Sequence, residues 1–492
     1  MIFLLIVLII SIYLICDYYI KNYWYKDIQG PRSIPILGSL LHIKDDAHLV
    51  FQRDSKIYND GKLAKYWFCD VITIALFDAD LTREVFIKNH EYVNSRVKSP
   101  TLNLIGNRFR GIVTADENYW QFHRDILMKS FTGRKIKTLT NSIEKETIEI
   151  ISFMKFISKS GQLFSTRSNF MNFNSNIIFD YVFSRRIENI YEGANEEQLK
   201  VLKAIRDLFE FLALFEIQNY TKILQPFYFI YSKIFGHPSD PLKKIIYKYY
   251  KEHCETIDID NPRDVLDSII SEYRKVNGKE EESSVIPITN ELILAAVETN
   301  STTMEWFTLE LCNRQEYQVK LYNELSKVLK QSPNESNLIN LSHRPLTPLF
   351  NATLKEVLRL YPPVPFGVSR LTIKEFKIDN GRFTIPKGSQ IIQSLYSMFR
   401  DEKHWSSPNE FKPERHINNN ESQSNNWFPY SIGVRNCVGM GFSQDELYIL
   451  LANLVLNFQI LPPFENSKIN DTPIFGFSFR PNEFKVNLKL RQ

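Results

Sequence analysis

The first 20 residues form the most apolar stretch of the chain. Apart from tyrosines, their polar side chains are Ser11 and Asp17. A helix of 20 residues is roughly 30 Å long, which is enough to cross a bilayer. Lys21 and Lys26 follow this stretch and no cationic side chain precedes it, so the positive-inside rule places the rest of the chain in the cytosol. We predict a single-pass transmembrane anchor over residues 1–20. A cleaved signal peptide is the alternative, but its cationic start and small-residue cleavage site are missing.

The rest of the chain shows the periodicity of a mostly helical protein. Residues 21–38 contain the run QGPRSIPILG, which predicts a stiff linker. Further on, apolar residues recur at helical spacing over long stretches, and short alternating runs predict a few strands. The predicted helices include 202–215, 242–254, 289–312, 344–360 and 443–457, and the predicted strands lie in 62–77, as a hairpin around Cys69 and Asp70, and in 366–392. We therefore expect one large domain over residues 39–492, mainly α with minor β.

Composition narrows the class of protein. Of the 492 residues, 43% are hydrophobic and 24% are charged, which is typical of a globular chain and excludes wholesale disorder. The formal net charge of +4 gives no support for nucleic-acid binding. The five cysteines are scattered and contain no C-x-x-C pair, so a disulfide framework or a structural zinc site is not expected, and a reducing compartment is favoured.

Cys437 lies in a loop that leads into a predicted helix. The sequence WFPYSIGVRNCVG ends in this loop, with Gly433 and Gly439 on either side of the cysteine and Arg435 two residues before it. A thiolate needs a metal, a cation or backbone N–H groups to stay ionised, and such a loop offers them. A buried structural cysteine is the alternative.

Three further spacings bring cations close to possible partners. Glu356 and Arg359 are three residues apart on a predicted helix and can pair. Trp120 and Arg124 are four apart, so that an indole N–H and a guanidinium could grip one carboxylate. Arg415 could complete an ion network with the first pair. Each spacing is weak alone, and surface packing is an equal alternative for the Trp120 pair.

In combination, these features resemble the cytochrome P450 family of haem-thiolate monooxygenases, in its eukaryotic microsomal form. The resemblance covers nearly the whole chain in the family's order, and the complete series is far more specific than any single motif. It comprises the apolar anchor, the Pro-rich hinge, W-x-x-x-R at Trp120 and Arg124, A-A-x-E-T at 295–299, E-x-x-R at Glu356 and Arg359, P-E-R at 413–415 and G-x-R-x-C-x-G at 433–439.

The resemblance implies a role for each matching residue. Cys437 would be the thiolate ligand of the iron of haem b, where it favours O–O cleavage. The haem propionates would be bound by Trp120, Arg124, Arg370 and Arg435. Glu356, Arg359 and Arg415 would form a structural ion network.

Two residues of the predicted distal helix would carry the proton chemistry. Glu298 and Thr299 match the family's acid–alcohol pair, which delivers protons to bound oxygen. For Thr299 the alternative is a helix threonine whose hydroxyl bonds back to a carbonyl one turn earlier.

The chain departs from the usual family pattern at several positions. Tyr430 stands where the cysteine loop usually has Phe, and Asn300 replaces a common second Thr after Thr299. Ala296 replaces the more frequent Gly beside the oxygen-binding groove, and His416 replaces the usual Phe after P-E-R. None of these changes removes a ligand or the acid–alcohol pair.

The implied reaction inserts one atom of O₂ into a lipophilic small molecule. Electrons would come from NADPH through a membrane-bound diflavin reductase, with cytochrome b5 as a further candidate donor, at the endoplasmic reticulum membrane. A basic patch of Lys129, Arg134, Lys135 and Lys137 would suit an acidic partner; a solvated face is the alternative. The apolar segments 208–215 and 223–235 resemble a substrate-channel lid that dips into the membrane, with core packing as the alternative.

Two other functional classes remain open at this point. An oxygen-independent isomerase or dehydratase uses the same fold, although the retained Glu298 and Thr299 argue against it. A non-catalytic haem sensor or electron carrier is the other.

Overall fold

The computed structural model describes residues 2–491 except 44–45, 131–133, 189, 192, 194, 214–215, 280, 335–336, 418–424, 466 and 477. Helices dominate this part of the chain. They are α1 (Ile2–Tyr23), α2 (Ala47–Asp54), α3 (Ala79–Arg83), α4 (Pro100–Ile105), α5 (Glu117–Ser130), α6 (Arg134–Ser160), α7 (Thr166–Phe183), α8 (Glu196–Ala213), α9 (Gln225–Phe235), α10 (Asp240–Thr256), α11 (Val265–Asn277), α12 (Glu282–Asn313), α13 (Gln315–Gln331), α14 (Pro348–Leu360), α15 (Leu395–Met398) and α16 (Met440–Asn457).

The strands are short and form small sheets. They are β1 (Leu63–Phe68), β2 (Val71–Leu76), β3 (Ser95–Arg96), β4 (Phe164–Ser165), β5 (Arg370–Leu371), β6 (Phe376–Ile378), β7 (Phe383–Ile385), β8 (Gln390–Gln393), β9 (Phe458–Leu461), β10 (Pro473–Ile474), β11 (Arg480–Pro481) and β12 (Lys485–Leu490). The largest sheet has the order β1-β2-β8-β5-β3, in which only β2 and β8 run parallel. A three-stranded sheet has the order β4-β12-β9. The expected mainly α fold with minor β is confirmed.

The predicted hairpin is confirmed, and one predicted helix is wrong at its start. β1 and β2 pair antiparallel around Cys69 and Asp70, and Cys69 has a φ of +48° at the turn. The helix expected over 344–360 begins only at Pro348, after a separate 3₁₀ turn that contains Pro345. Proline lacks an N–H and fixes φ, so it suits the first residue of a helix and breaks the interior of one. Pro348 therefore sets the helix start.

Helix α12 is the central helix of the fold. It is 32 residues long and buried along most of its length. Apolar residues occur on all its faces, which is typical of a helix surrounded by other elements. It packs against α7, α10, α14 and α16. One stripe of α12, described below, is less covered.

The segment between α1 and β1 is bound to the body of the protein. Ile28 is buried in an apolar cluster with Leu63, and a Cβ at Gly30 would lie 1.8 Å from the Lys65 carbonyl oxygen. Lys65 Nζ donates to the carbonyls of Trp24 and Tyr25 over 2.9 and 3.0 Å. The linker expected over 21–38 is therefore packed on β1.

The apolar segments expected to form a lid divide into two kinds. Leu208 and Phe209 are buried on α8, so core packing, the alternative, applies to them. Ile223 and Phe235, in contrast, are 73% and 71% exposed, and most apolar residues between them are exposed as well. Phe215 lies outside the described residues. The exposed apolar segment is therefore confined to 223–235.

Candidate functional site

The cysteine loop is held by its own backbone and ends at a helix. The Cys437 N–H donates to the Tyr430 carbonyl over 3.0 Å, and α16 begins at Met440. Cys437 is exposed to solvent, so a ligand can reach its thiol. Burial raises the pKa of Cys437, while the Gly439 N–H and the charge of Arg124 act in the opposite direction. The thiolate therefore needs a further cation, such as a metal ion, to persist at neutral pH.

Gly433 allows this loop to approach α3 and the turn that follows it. Its φ is +76°, and a Cβ there would lie 2.2 Å from the Phe86 carbonyl oxygen. A side chain at this position would strain the backbone and collide with it. Gly433 thus brings the cysteine loop against the Phe86 ring, over which the Arg370 guanidinium stacks at 3.8 Å.

Four buried or half-buried arginines converge near the loop. Arg96 and Arg370 are direct partners in the β3–β5 pairing, and Arg435 stacks on the Trp120 ring at 4.3 Å. Arg124 donates to the carbonyl and the side-chain oxygen of Asn436. Among the described residues, no ion pair joins any of these four arginines to a carboxylate.

Arg370 and Arg435 are buried cations whose charge is not balanced by an ion pair with any described carboxylate. Burial, together with the charge of Arg96, lowers the pKa of Arg370 to about 8. Burial and the neighbouring arginines lower the pKa of Arg435 to the same value. Nη1 of Arg370 and of Arg435 is buried without a hydrogen-bond partner. Buried cations of this kind are stabilised by carboxylates.

Haem fits this set of residues. Its iron would neutralise the Cys437 thiolate, and its two propionates would supply carboxylates to the unpartnered guanidinium nitrogens. Trp120 is buried, so the surface-packing alternative for the Trp120 and Arg124 pair is wrong. The structure thus brings Trp120, Arg124, Arg370 and Arg435 together at the loop that carries Cys437.

Helix α12, which carries Glu298 and Thr299, has one stripe that is less covered by the surrounding elements. Leu292, Ala295, Ala296 and Thr299 follow each other at helical spacing, and all are partly or fully exposed within the otherwise buried α12. The Thr299 hydroxyl donates to the Ala295 carbonyl over 2.7 Å. The bond to a carbonyl one turn earlier is therefore present. The oxygen of this hydroxyl keeps its lone pairs and can still accept a hydrogen bond.

Glu298 lies on a different side of α12 from this stripe. It is 2% exposed, and both carboxylate oxygens accept from Arg167 Nη2, over 2.8 and 2.6 Å. The Ser478 hydroxyl also donates to it. The acid of the expected acid–alcohol pair is therefore engaged in a buried ion pair.

The predicted ion network is formed and is larger than expected. Glu356 accepts from Arg359 Nε over 2.8 Å, from Arg415 Nε over 3.1 Å and from the Lys412 N–H over 2.8 Å. His416 Nε2 lies 2.9 Å from the same carboxylate. Burial lowers the pKa of His416, and Nε2 donates to the carboxylate.

Sequence reasoning missed two arginines. Arg96 lies in no motif, and only its pairing with Arg370, 274 residues away, reveals it. Arg167 lies 131 residues before its partner Glu298. The expected basic patch is only partly described: Lys129 pairs with Glu272 over 2.8 Å, and the side chains of Arg134, Lys135 and Lys137 lie outside the described residues.

Comparisons with known proteins agree with this geometry. The family model of cytochrome P450 matches residues 28–488. The chain is 66% identical to "Probable cytochrome P450 518A1" and 45% identical to "Probable cytochrome P450 518B1", both from Dictyostelium discoideum, over 99% of each chain. Among solved structures, a zebra fish cytochrome P450 with abiraterone superposes with a TM-score of 0.77 at 24% identity, covering 90% of this chain and 99% of that one. The chain therefore belongs to the cytochrome P450 family and is a haem-thiolate monooxygenase.

Proposed function

We propose that this monooxygenase hydroxylates a lipophilic small molecule with electrons from NADPH, delivered by a diflavin reductase or by cytochrome b5. The observation that carries the proposal is the convergence of four arginines, two of them with a buried and unpartnered Nη1, on the loop that carries Cys437. Haem b, when bound, supplies oxygen activation, in the overall reaction R–H + O₂ + two electrons + two protons → R–OH + H₂O.

Cys437 is the proposed metal ligand. The Gly439 N–H and Arg124 stabilise its anion. Trp120, Arg124, Arg370 and Arg435 are the proposed propionate-binding residues, and we add Arg96 to them because it is paired with Arg370 in the sheet.

Thr299 and Glu298 are the proposed proton-transfer residues. Because the Thr299 proton is bound to the Ala295 carbonyl, the hydroxyl serves as an acceptor that holds a water or a substrate-side donor in place. Glu298 must release Arg167 and Ser478 before it can exchange a proton with Thr299 or with water. We therefore expect Thr299 to act in every turnover and Glu298 to act through movement of its side chain or through water.

The membrane is the proposed location, with the body on the cytosolic side of the endoplasmic reticulum. Among the described helices, Ile2–Tyr23 is long and apolar enough to cross a bilayer. The exposed residues of segment 223–235 would add a second apolar contact. A lipophilic substrate could then enter from the bilayer.

The test uses Thr299→Ala in the full-length, haem-loaded protein. A binding-spectrum screen of sterols, fatty acids and terpenoids first identifies a ligand that is turned over. The variant should keep haem and substrate binding, while the ratio of product to NADPH consumed falls, because a positioned acid–base group is typically worth about 10²–10⁴-fold. Hydrogen peroxide should account for the missing oxygen.

Thr308→Ala is the matched control, because this α12 threonine makes the same bond to a carbonyl one turn earlier, that of Met304, but is buried. Unchanged coupling in Thr299→Ala would contradict the proposed proton role. Turnover of a substrate without any NADPH consumption would instead support the oxygen-independent class.

A further inference from the structure

A chain of hydrogen bonds connects the cysteine loop to the distal helix. The Tyr430 hydroxyl lies 3.2 Å from Ser443 Oγ, and Ser443 Oγ donates to Asn300 Oδ1 over 2.6 Å. Because a serine hydroxyl has one proton, Tyr430 is the donor in the first bond. Asn300 Nδ2 in turn donates to Glu446 Oε2. Both sides of the Asn300 amide, on α12, are thus bound by residues of α16.

This chain is buried at its centre. Asn300 and Glu446 are 2% and 1% exposed. Burial raises the pKa of Glu446 well above its ordinary value, which disfavours the charged carboxylate, while the Asn300 amide acts in the opposite direction by donating to it. Away from water such bonds are strong, and the loss of one partner leaves a costly unpaired group. The contact therefore fixes one arrangement of α12 against α16.

Two members of the chain are departures from the usual family pattern. A phenylalanine at position 430 would have no hydroxyl to donate, and a threonine at position 300 would have no second polar atom with which to reach both Ser443 and Glu446. The residue types that distinguish this sequence are therefore the ones that make the connection. This indicates that Tyr430 and Asn300 act together.

The hydrogen-bond chain limits how the Thr299 side chain can move. The hydroxyl of Thr299 bonds to the Ala295 carbonyl, and its own carbonyl accepts from Thr303 Oγ1 over 2.9 Å. Both bonds stay within α12, so Thr299 moves only as α12 moves. Helix α16 begins three residues after Cys437. The link from Asn300 to α16 therefore couples the position of the helix that carries Thr299 to that of the helix that follows Cys437.

We propose that Asn300 is a positioning residue, whose amide clamps α12 to α16 and so sets the place of the Thr299 hydroxyl relative to the Cys437 sulfur. This inference rests on the proposed function, because the distance matters only if Cys437 binds haem iron and Thr299 takes part in proton transfer.

The experiment compares Asn300→Ala with Asn453→Ala in the full-length, haem-loaded protein. Asn453 is a buried amide on α16 that donates to the carbonyls of Ile339 and Ile449, each over 2.8 Å, and has no hydrogen bond to α12 among the described residues. Both variants should lose similar resistance to urea. Only Asn300→Ala should speed amide hydrogen exchange in peptides covering 292–303, by about tenfold, and shift the ferric spin state seen in the Soret band.

Two milder variants complete the test. Ser443→Ala removes one of the two bonds to the amide and should give a smaller change of the same sign. Glu446→Gln keeps a neutral acceptor and should behave like the wild type.

The outcomes separate the inference from the proposed function. If the reduced carbon monoxide complex of the wild type lacks the red-shifted Soret band of thiolate ligation, the proposed function fails. If that band is present but Asn300→Ala matches Asn453→Ala in exchange and spin state, the inference alone is overturned. Should Asn300→Ala not fold, unchanged exchange over 292–303 in Ser443→Ala overturns it equally.

Discussion

The buried negative charge of Glu356 contributes to the stability of the folded protein. It is fully buried among Arg359, Arg415 and His416. Burial by itself would raise its pKa, but the hydrogen bonds from Arg359 and His416 lower it to about 2. The substitution Glu356→Gln removes the negative charge while keeping the shape. It leaves two buried guanidinium groups without their carboxylate, so we expect a large loss of stability.

The size of the loss follows from two independent considerations. A fall in pKa from the ordinary 4.5 to about 2 corresponds to about 3 kcal/mol of stability at neutral pH. Breaking a buried ion pair by removing one partner costs about 3–5 kcal/mol. Because the folded-state pKa lies below the unfolded one, this stability is fully present above pH 4.5 and is lost as the pH falls towards 2. The difference between wild type and variant should therefore be constant from pH 7 to about 5 and shrink below 4.5.

The assay is urea unfolding of the full-length protein in detergent over this pH range. Glu310→Gln is the matched control: Glu310 is also buried beside an arginine, Arg314, but burial raises its pKa. Its charge therefore costs stability at neutral pH, and this variant should be as stable as the wild type or more so. A loss below about 1 kcal/mol in Glu356→Gln, or a loss that does not shrink in acid, would refute the assignment of a buried, charged Glu356.

Three further outcomes are expected. Cys437→Ser should abolish the red-shifted Soret band of the reduced carbon monoxide complex, whereas Cys312→Ser, at a cysteine buried in the core of α12, should keep it. Deletion of residues 1–26 should give a less stable protein than deletion of residues 1–20, by about 1–3 kcal/mol. The longer deletion removes both carbonyl partners of the buried Lys65 and the bonds between Asn22 and Ser33. Urea unfolding of the two haem-loaded forms measures the difference, and Lys65→Met should reduce it. Burial raises the pKa of Glu291 to about 7, above its ordinary 4.5, so the native state binds this proton more readily than the unfolded state. The wild type should therefore gain stability as the pH falls from about 8 to 5. In a thermal-unfolding series, Glu291→Gln should lose that gain.

The features that depend on neighbouring residues could be predicted from the sequence. The hairpin at Cys69 and the long buried helix around Thr299 follow from alternation, helical spacing and turn residues, which act over a few positions. Proline chemistry could also have placed the start of α14 at Pro348, since the expected helix ran through Pro345.

Contacts between distant parts of the chain were not predictable in this way. Arg96 reaches the site because β3 pairs with β5, and Glu298 is held in an ion pair by Arg167. Neither arginine carries a spacing that marks its partner. The motif match identified which residue types meet, but the direction of each side chain depends on helix packing, which periodicity alone does not specify.

Because the segment after α1 is packed on the body of the protein, the N-terminal helix has a fixed orientation relative to that body. Asn22 and Ser33 exchange two hydrogen bonds, and Ile36 N–H donates to Asp17 over 2.7 Å. The β1–β2 turn next to this segment bonds to residues 220 and 222, just before α9: Asp70 N–H donates to the Tyr220 carbonyl. If α1 spans the bilayer as proposed, the exposed apolar segment 223–235 is presented to the same membrane at a fixed tilt. Each apolar element then raises the effective concentration of the other at the membrane surface.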